Sequence, residues 1–422
     1  MSRYYIWTIG CQMNESESEH LASALSKLGY EAVTSADEAD LVILNTCVVR
    51  ESAENKAVNK LHALRSLKKR NPGAVIALTG CMVDDNTGDL KKRFPHVDYF
   101  LKPGDYPDWL KRVTKEESLP ESPPVSSYVP IIHGCNNFCS YCIVPYRRGC
   151  ERSRPPEEIV GEVKELVRRG TREAILLGQN VDAYGHDLAG KPELADLLTE
   201  VSRVEGLLRV RFLTSHPSYI SLRLTQTMSH LDKVCKQLSL PIQSGSDRIL
   251  KAMGRGYTAQ EYRQLVGHIR SYMPGIALST DVIVGFPGES EADFAETVKA
   301  LTEIKFDQIH VAAYSPRPGT LAAREMADDV PPQVKKARLS QIEMLEERIA
   351  TELNAGLMGK TLPVLVEGRK GNLFYGRTGS DKLVFFKGES RDIGHLLDIR
   401  VTRTSPWSLS GVKVESELNE GG

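Results

Sequence analysis

The chain has no apolar run long enough to cross a membrane. Segments such as Ala174–Leu177 fall far short of the roughly 20 residues that a spanning helix needs. It also lacks net charge: 54 Lys+Arg stand against 55 Asp+Glu, so no global field marks an anionic partner, though a local patch still can. Low-complexity tracts and short-period repeats are missing, which argues against a solenoid. The first residues, MSRYYIWTIGCQMN, carry no apolar core followed by a small-residue cleavage site. Export is therefore not expected, and a cytoplasmic location is.

What is present is a 422-residue chain with 41% hydrophobic and 26% charged residues, the balance of a globular protein. At roughly 100–200 residues per domain, two to four domains are expected. Eight cysteines, Cys11, Cys47, Cys81, Cys135, Cys139, Cys142, Cys150 and Cys235, occur without an export signal, so metal or redox chemistry outranks a disulfide framework.

Three blocks differ in pattern. Residues 1–117 alternate apolar segments (YYIWTIG, DLVILNTC, VIALTGC) with helical ones, a βαβαβ order that predicts a small parallel sheet covered by helices. A Pro/Ser-rich stretch, 118–130, reads as a linker. Residues 121–352 repeat strand then helix six times, which predicts a (βα)6 partial TIM-type barrel with its site at the C-terminal strand ends. Residues 355–417 hold four short strands, TLPVLVEGR, LFYGRT, KLVFFKG and LLDIRVTRT, split by glycine turns; a small antiparallel β-barrel is expected. From Ala355 to Lys413 this tail has ten basic residues and five acidic ones, interleaved with Phe374, Tyr375, Phe385 and Phe386. That pattern suits a nucleic-acid backbone as well as a solvated surface. The overall class is α/β.

Cys135, Cys139 and Cys142 form a C-x3-C-x2-C cluster after the first barrel strand. Three thiolates on one tight loop hold three irons of a 4Fe-4S cluster and leave the fourth open. Zinc would need a fourth ligand, from His133 or Cys150. Cys11, Cys47 and Cys81 lie 36 and 34 residues apart, each directly after an apolar strand. If those strands are parallel neighbours, the three thiols emerge at one edge, where α/β sheets place ligands. A second cluster with an open iron is the expectation. Cys150 and Cys235 are spare.

C-x3-C-x-aromatic-C after the first strand of such a barrel resembles the radical S-adenosylmethionine (SAM) enzymes. The two cysteine triads and the basic tail resemble the radical SAM methylthiotransferases along nearly the whole chain. Within that family, GCQMN (10–14), NTCVVRESA (45–53), GCNNFCSYCIVPYRRG (134–149), LLGQNVDAYG (176–185), RFLTSHP (211–217), LPIQSGSDRIL (240–250) and DVIVGFPGE (281–289) look like the MiaB-type branch. The resemblance implies an enzyme with two 4Fe-4S clusters, one for SAM and one auxiliary, and a C-terminal TRAM domain that binds tRNA. Its implied reaction is methylthiolation of C2 of N6-(dimethylallyl)adenosine at position 37, with two SAM per product. The implied partners are the tRNA anticodon stem-loop, an electron donor such as flavodoxin or ferredoxin, and iron–sulfur assembly proteins; a monomer is expected. The alternatives are threonylcarbamoyladenosine as substrate, or a non-catalytic metal-containing tRNA-binding protein.

The resemblance makes Gln179 and Asn180, at the end of the second barrel strand, candidate SAM contacts. Ser244 and Asp281, at strand ends, are further candidates, while His133 and His216 read as satisfied loop or core histidines. Arg147, Arg148, Arg152 and Arg154 flank the cluster loop and are candidate clamps for tRNA phosphates.

Overall fold

Every residue of LVILNT (Leu41–Thr46) is buried, as in a strand covered on both faces. In a computed structural model, which describes residues 2–84, 86–103, 105–107 and 119–414, this segment is the centre of a five-stranded sheet. With β1 Arg3–Thr8, β2 Glu31–Ala32, β3 Leu41–Thr46, β4 Val75–Gly80 and β5 Tyr99–Phe100, the order is β2-β1-β3-β4-β5 and all pairings are parallel. Helix Glu51–Arg70 buries Ala57, Leu61, Leu64 and Leu67, one face at helical spacing, against Val42, Leu44, Ile76 and Leu78. Helix Gln12–Lys27 covers the other face with Leu21, Ala24 and Leu25 against Tyr4, Leu41 and Ile43.

The next strands are β6 Ser126–Pro130, β7 Ile132–His133, β8 Arg152–Ser153, β9 Glu173–Leu177, β10 Arg209–Phe212, β11 Gln237–Ser239, β12 Ala277–Val284 and β13 Gln308–Ala313. Strands β6, β9 and β10 form one parallel sheet and β11, β12 and β13 another, joined by a parallel bridge from Val210 to Val234. The result is an open six-stranded partial barrel wrapped by helices. Its shell is a single apolar core that includes Val129, Leu176, Val210, Leu238, Leu278 and Ile309. Some of the helices start on side-chain caps; Thr258 with Glu261 and Ser290 with Asp293 make reciprocal capping boxes. The expected linker is corrected here. Leu119 is 2% exposed and Ser126–Pro130 is already the first barrel strand, because alternate residues there reach the core. The expected boundary at 117 and residues 415–417 lie outside the described residues.

Helix Pro332–Ala355 packs on β13 and delivers the chain to a closed barrel in the order β14-β15-β16-β18-β17. These strands are β14 Thr361–Lys370, β15 Leu373–Thr378, β16 Leu383–Phe386, β17 Leu396–Thr404 and β18 Leu409–Lys413. Two features depart from expectation. The fifth strand, LSGVK, was not anticipated, and it pairs parallel with β16, so the barrel is not wholly antiparallel. Phe374 and Phe386 fill the barrel core, while Tyr375 and Phe385 on alternate positions remain half-buried.

Candidate cluster and cofactor site

Cys47 and Cys81 follow β3 and β4 directly and Cys11 follows β1 after Ile9 and Gly10, and these strands are adjacent and parallel. All three therefore leave the sheet at the same edge. Close approach at that edge demands glycine twice: a Cβ on Gly10 (φ +139) would sit 2.7 Å from the Cys47 Cβ, and one on Gly80 (φ +89) 2.2 Å from the Thr46 carbonyl oxygen. Asn14 staples the edge, its amide donating to the carbonyls of Ile9 (3.1 Å) and Thr46 (3.0 Å), while the Cys11 thiol meets its Oδ1 at 3.7 Å.

The second triad sits on a loop closed by the antiparallel pair β7–β8, with the Cys135 N–H donating to the Gly149 carbonyl. Ser140 is anchored twice, by its N–H to the Met253 carbonyl and its hydroxyl to the Ala252 carbonyl. Arg255 then donates to Cys139 Sγ at 3.4 Å, to the Pro241 carbonyl and to the Tyr257 hydroxyl.

The thiols within each triad interact electrostatically. Burial pushes Cys81 up to about 11 and Cys142 up to about 12, and raises Cys47 and Cys135 as well. Burial alone keeps these thiols protonated, as it does the spare Cys235, and metal ligation would displace the proton. Among the described residues, no three His, Cys, Asp or Glu side chains close on one mononuclear position. Three soft donors are the ligand number that a 4Fe-4S cluster with one open iron takes.

Contacts between the first domain and the barrel bring the two triads to one side. Ser315 and Arg317, after β13, meet Glu51 (3.0 Å) and Glu54 (2.8 Å) in the first turn of helix Glu51–Arg70. Arg147 pairs with Asp84, and Arg50 is close enough to Asp281 to act on its charge. The first domain thus lies over the C-terminal ends of the barrel strands. A cavity of about 190 Å³ lined by Gln237, Ala277, Gln308, Asn354 and Trp407 lies at the opposite strand ends, away from the thiols.

The candidate SAM residues divide. Asn180 is 1% exposed, and neither polar atom of its carboxamide has a hydrogen-bond partner. Gln179 is used inward, accepting from the Gly134 N–H at 2.6 Å and so tying the second strand end to the cluster loop. Ser244 is fully buried and its hydroxyl is committed to Thr297 and the Ser246 N–H rather than left for a ligand. Asp281 lies within β12 opposite His310, and burial raises its pKa.

The four arginines also divide. Arg148 has 4% of its side chain exposed and bonds Glu17, Asn14 and Cys81. Arg154 bonds Glu162 and the Pro130 carbonyl, and Arg147 holds Asp84. Only Arg152 is exposed, so a run expected to clamp phosphate is mostly internal wiring. His133 and His216 read as neutral; burial lowers both, His216 to about 3. Sequence reasoning missed Arg255, Gln243 and Asp182. Gln243 adopts φ +66 with a buried, unpartnered Oε1, a backbone state that no motif signals.

Against known proteins, residues 3–102 match the uncharacterized protein family UPF0004, 129–301 the radical SAM superfamily and 357–414 the TRAM domain. A tRNA-2-methylthio-N(6)-dimethylallyladenosine synthase from Dehalococcoides mccartyi (strain CBDB1) is 55% identical over 409 residues, covering 97% of this chain and 98% of that protein. One from Chloroflexus aurantiacus is 47% identical, covering 97% and 91%. The chain belongs to the tRNA-2-methylthio-N(6)-dimethylallyladenosine synthase family. In fold, this synthase-family chain is similar to the radical SAM methyltransferase TsrM from Kitasatospora setae, solved with tryptophan and a SAM analogue. The TM-score is 0.56 at 13% identity, covering 88% of this chain and 79% of that one. As a radical SAM tRNA methylthiotransferase, the synthase-family chain uses an iron–sulfur cluster and SAM.

Proposed function

We propose that the protein methylthiolates C2 of N6-(dimethylallyl)adenosine at position 37 of tRNA. In this reading Cys135, Cys139 and Cys142 hold the SAM-binding 4Fe-4S cluster, and Cys11, Cys47 and Cys81 hold an auxiliary one. The domains are 1–117, 121–352 and 355–417. The observation that carries it is that three strand-end cysteines lie on a domain that contacts the barrel beside the C-x3-C-x2-C loop, where Arg148 reaches Cys81, in a chain whose relatives bear this synthase name.

An aromatic C2–H is neither acidic nor weak, so acid–base chemistry has no purchase on it. The cofactors, when bound, supply one-electron SAM cleavage and a sulfur donor. The chain's own part is placement. Gln179 fixes the cluster loop through Gly134, Asn180 offers a free carboxamide to SAM, and Asp182 holds the Ser215 hydroxyl and the His216 N–H at the end of the next strand. Loop and domain roof exclude water and align two reacting centres, which is what orientation catalysis requires. The basic barrel at 355–417 takes the tRNA backbone. A one-electron donor such as flavodoxin or ferredoxin, and sulfur from assembly proteins, complete the cycle in the cytoplasm, with the enzyme a monomer.

Iron analysis after anaerobic reconstitution tests the metal reading: about eight irons are expected, falling to about four on Cys47→Ala. Mass spectrometry of tRNA nucleosides from a deletion strain tests the substrate. Loss of the methylthio group from the dimethylallyl nucleoside is expected; its loss from threonylcarbamoyladenosine alone refutes the choice. Zinc without deoxyadenosine formation refutes the enzyme.

A further inference from the structure

Arg148 belongs to the barrel domain, ending the helix Val144–Arg148 that follows the C-x3-C-x2-C loop, yet none of its side-chain partners does. Its Nε donates to Cys81 Sγ at 3.3 Å, its Nη1 to Glu17 Oε1 at 2.7 Å and its Nη2 to Asn14 Oδ1 at 2.8 Å. Asn14 in turn holds the carbonyls of Ile9 and Thr46 and meets the Cys11 thiol, so the guanidinium is wired to the whole thiol edge. Arg255 stands in the same relation to Cys139 in the other triad. Each set of three thiols has one buried arginine on one sulfur.

We infer that Arg148 is a positioning residue of the auxiliary site, donated across the domain boundary, and that its charge sets the reduction potential there. The inference rests on the reading of Cys11, Cys47 and Cys81 as ligands. Potentials of iron–sulfur centres follow net charge and hydrogen bonds to sulfur, and partners behind a ligand fix its orientation. A cation on a ligand sulfur favours the reduced form, which carries one more negative charge, and so raises the potential. Glu17 partly cancels that cation. The two residues therefore act in opposite directions, although both belong to one ion pair. The same contact makes the thiol edge sensitive to the loop that binds the other cluster, because Arg148 lies six residues beyond Cys142.

The test uses the full chain carrying Cys135→Ala, Cys139→Ala and Cys142→Ala, reconstituted so that only the auxiliary site loads iron. Its midpoint potential is read by redox titration with electron paramagnetic resonance. Arg148→Gln is expected to shift the midpoint negative, Glu17→Gln to shift it positive, and Arg148→Lys to fall between Arg148→Gln and the parent. Where Arg148→Gln loses its iron, the Lys and Glu17 variants still give the sign. Shifts of the same sign, or none, overturn the inference, since a merely structural ion pair moves iron occupancy in one direction for both. A parent that binds no iron overturns instead the assignment of the three ligands.

Discussion

Arg211 and Glu173 face each other at 3.0 Å inside the barrel, with 3% and 1% of their side chains exposed. Arg211 also donates to the Thr378 carbonyl (3.2 Å), and Arg209 donates to those of Arg377 (2.5 Å) and Pro363 (2.7 Å). The β14–β18 barrel is thus docked on arginines that project from β10. Glu173→Gln leaves the buried Arg211 with only the more exposed Asp381, at 3.6 Å, as counterion, and is expected to cost at most about 3–5 kcal/mol. Glu173→Leu with Arg211→Met removes both charges and is expected to recover most of that loss. Urea midpoints followed by circular dichroism decide it; equal losses in the single and double variants would contradict the argument.

Asn180 carries two buried polar atoms with no partner in the protein, a cost of about 1–3 kcal/mol unless a ligand pairs them. Asn180→Ala is therefore expected to leave the cluster-free protein as stable as before or more so, while SAM binding weakens by at least tenfold, the equivalent of about 1.4 kcal/mol. Gln179→Ala behaves differently, because it frees the Gly134 N–H and loosens the cluster loop. Thermal melting and equilibrium dialysis of SAM separate the two. Unchanged SAM affinity in Asn180→Ala would remove Asn180 from the site.

The thiol edge of the first domain was legible because strand ends are marked locally. YYIWTIG, LVILNT and VIALTG each run straight into cysteine, and parallel order then fixes where the sulfurs go. The barrel strands were legible for the same reason. What was not legible depends on partners far apart in the chain. Arg148 and Arg154 look like neighbours in one exposed basic run, but Glu17, 131 residues earlier, and Glu162 absorb them. Ser244 sits where a ligand contact is expected, yet Thr297, 53 residues on in helix Glu291–Ile304, takes its hydroxyl. The strand LSGVK has only Leu409 as a buried apolar residue, too little pattern to register before its ladder with β16 and β17 exists.

Asp182 accepts from the His216 N–H at 2.8 Å and the Ser215 hydroxyl at 3.1 Å, yet burial pushes its pKa up to about 7 from 3.8. The folded chain therefore keeps a proton that the unfolded chain releases. Stability from this group is fully present below about pH 4 and is lost as pH rises through about 7. His216 works the other way. Burial, then the Arg255 charge, lower its pKa to about 3, so its contribution is present above about pH 6.5 and fades as pH falls. Asp182→Asn deletes the first slope alone. Relative to wild type it is expected to gain stability as pH rises from about 4 to 7, with the difference levelling off above that. Denaturation midpoints across that range check it; a difference independent of pH would show that Asp182 is ionised throughout.

Charge on the C-terminal barrel is unevenly committed. Arg377 is held by Asp381 and Lys382 by Asp307, whereas Lys360, Arg400 and Arg403 are exposed, with Arg400 beside Thr361 in the β14–β17 ladder. If these three meet tRNA phosphates, each contact releases counterions and steepens the salt dependence of binding. Arg400→Gln with Arg403→Gln is expected to weaken binding of an anticodon stem-loop and to flatten the plot of log affinity against log salt by about 2, roughly 1 per contact. Iron content and SAM cleavage should not change, since neither residue approaches a thiol. Fluorescence anisotropy at rising potassium chloride measures the slope. An unaltered slope in the double variant would move the tRNA to another face of the barrel.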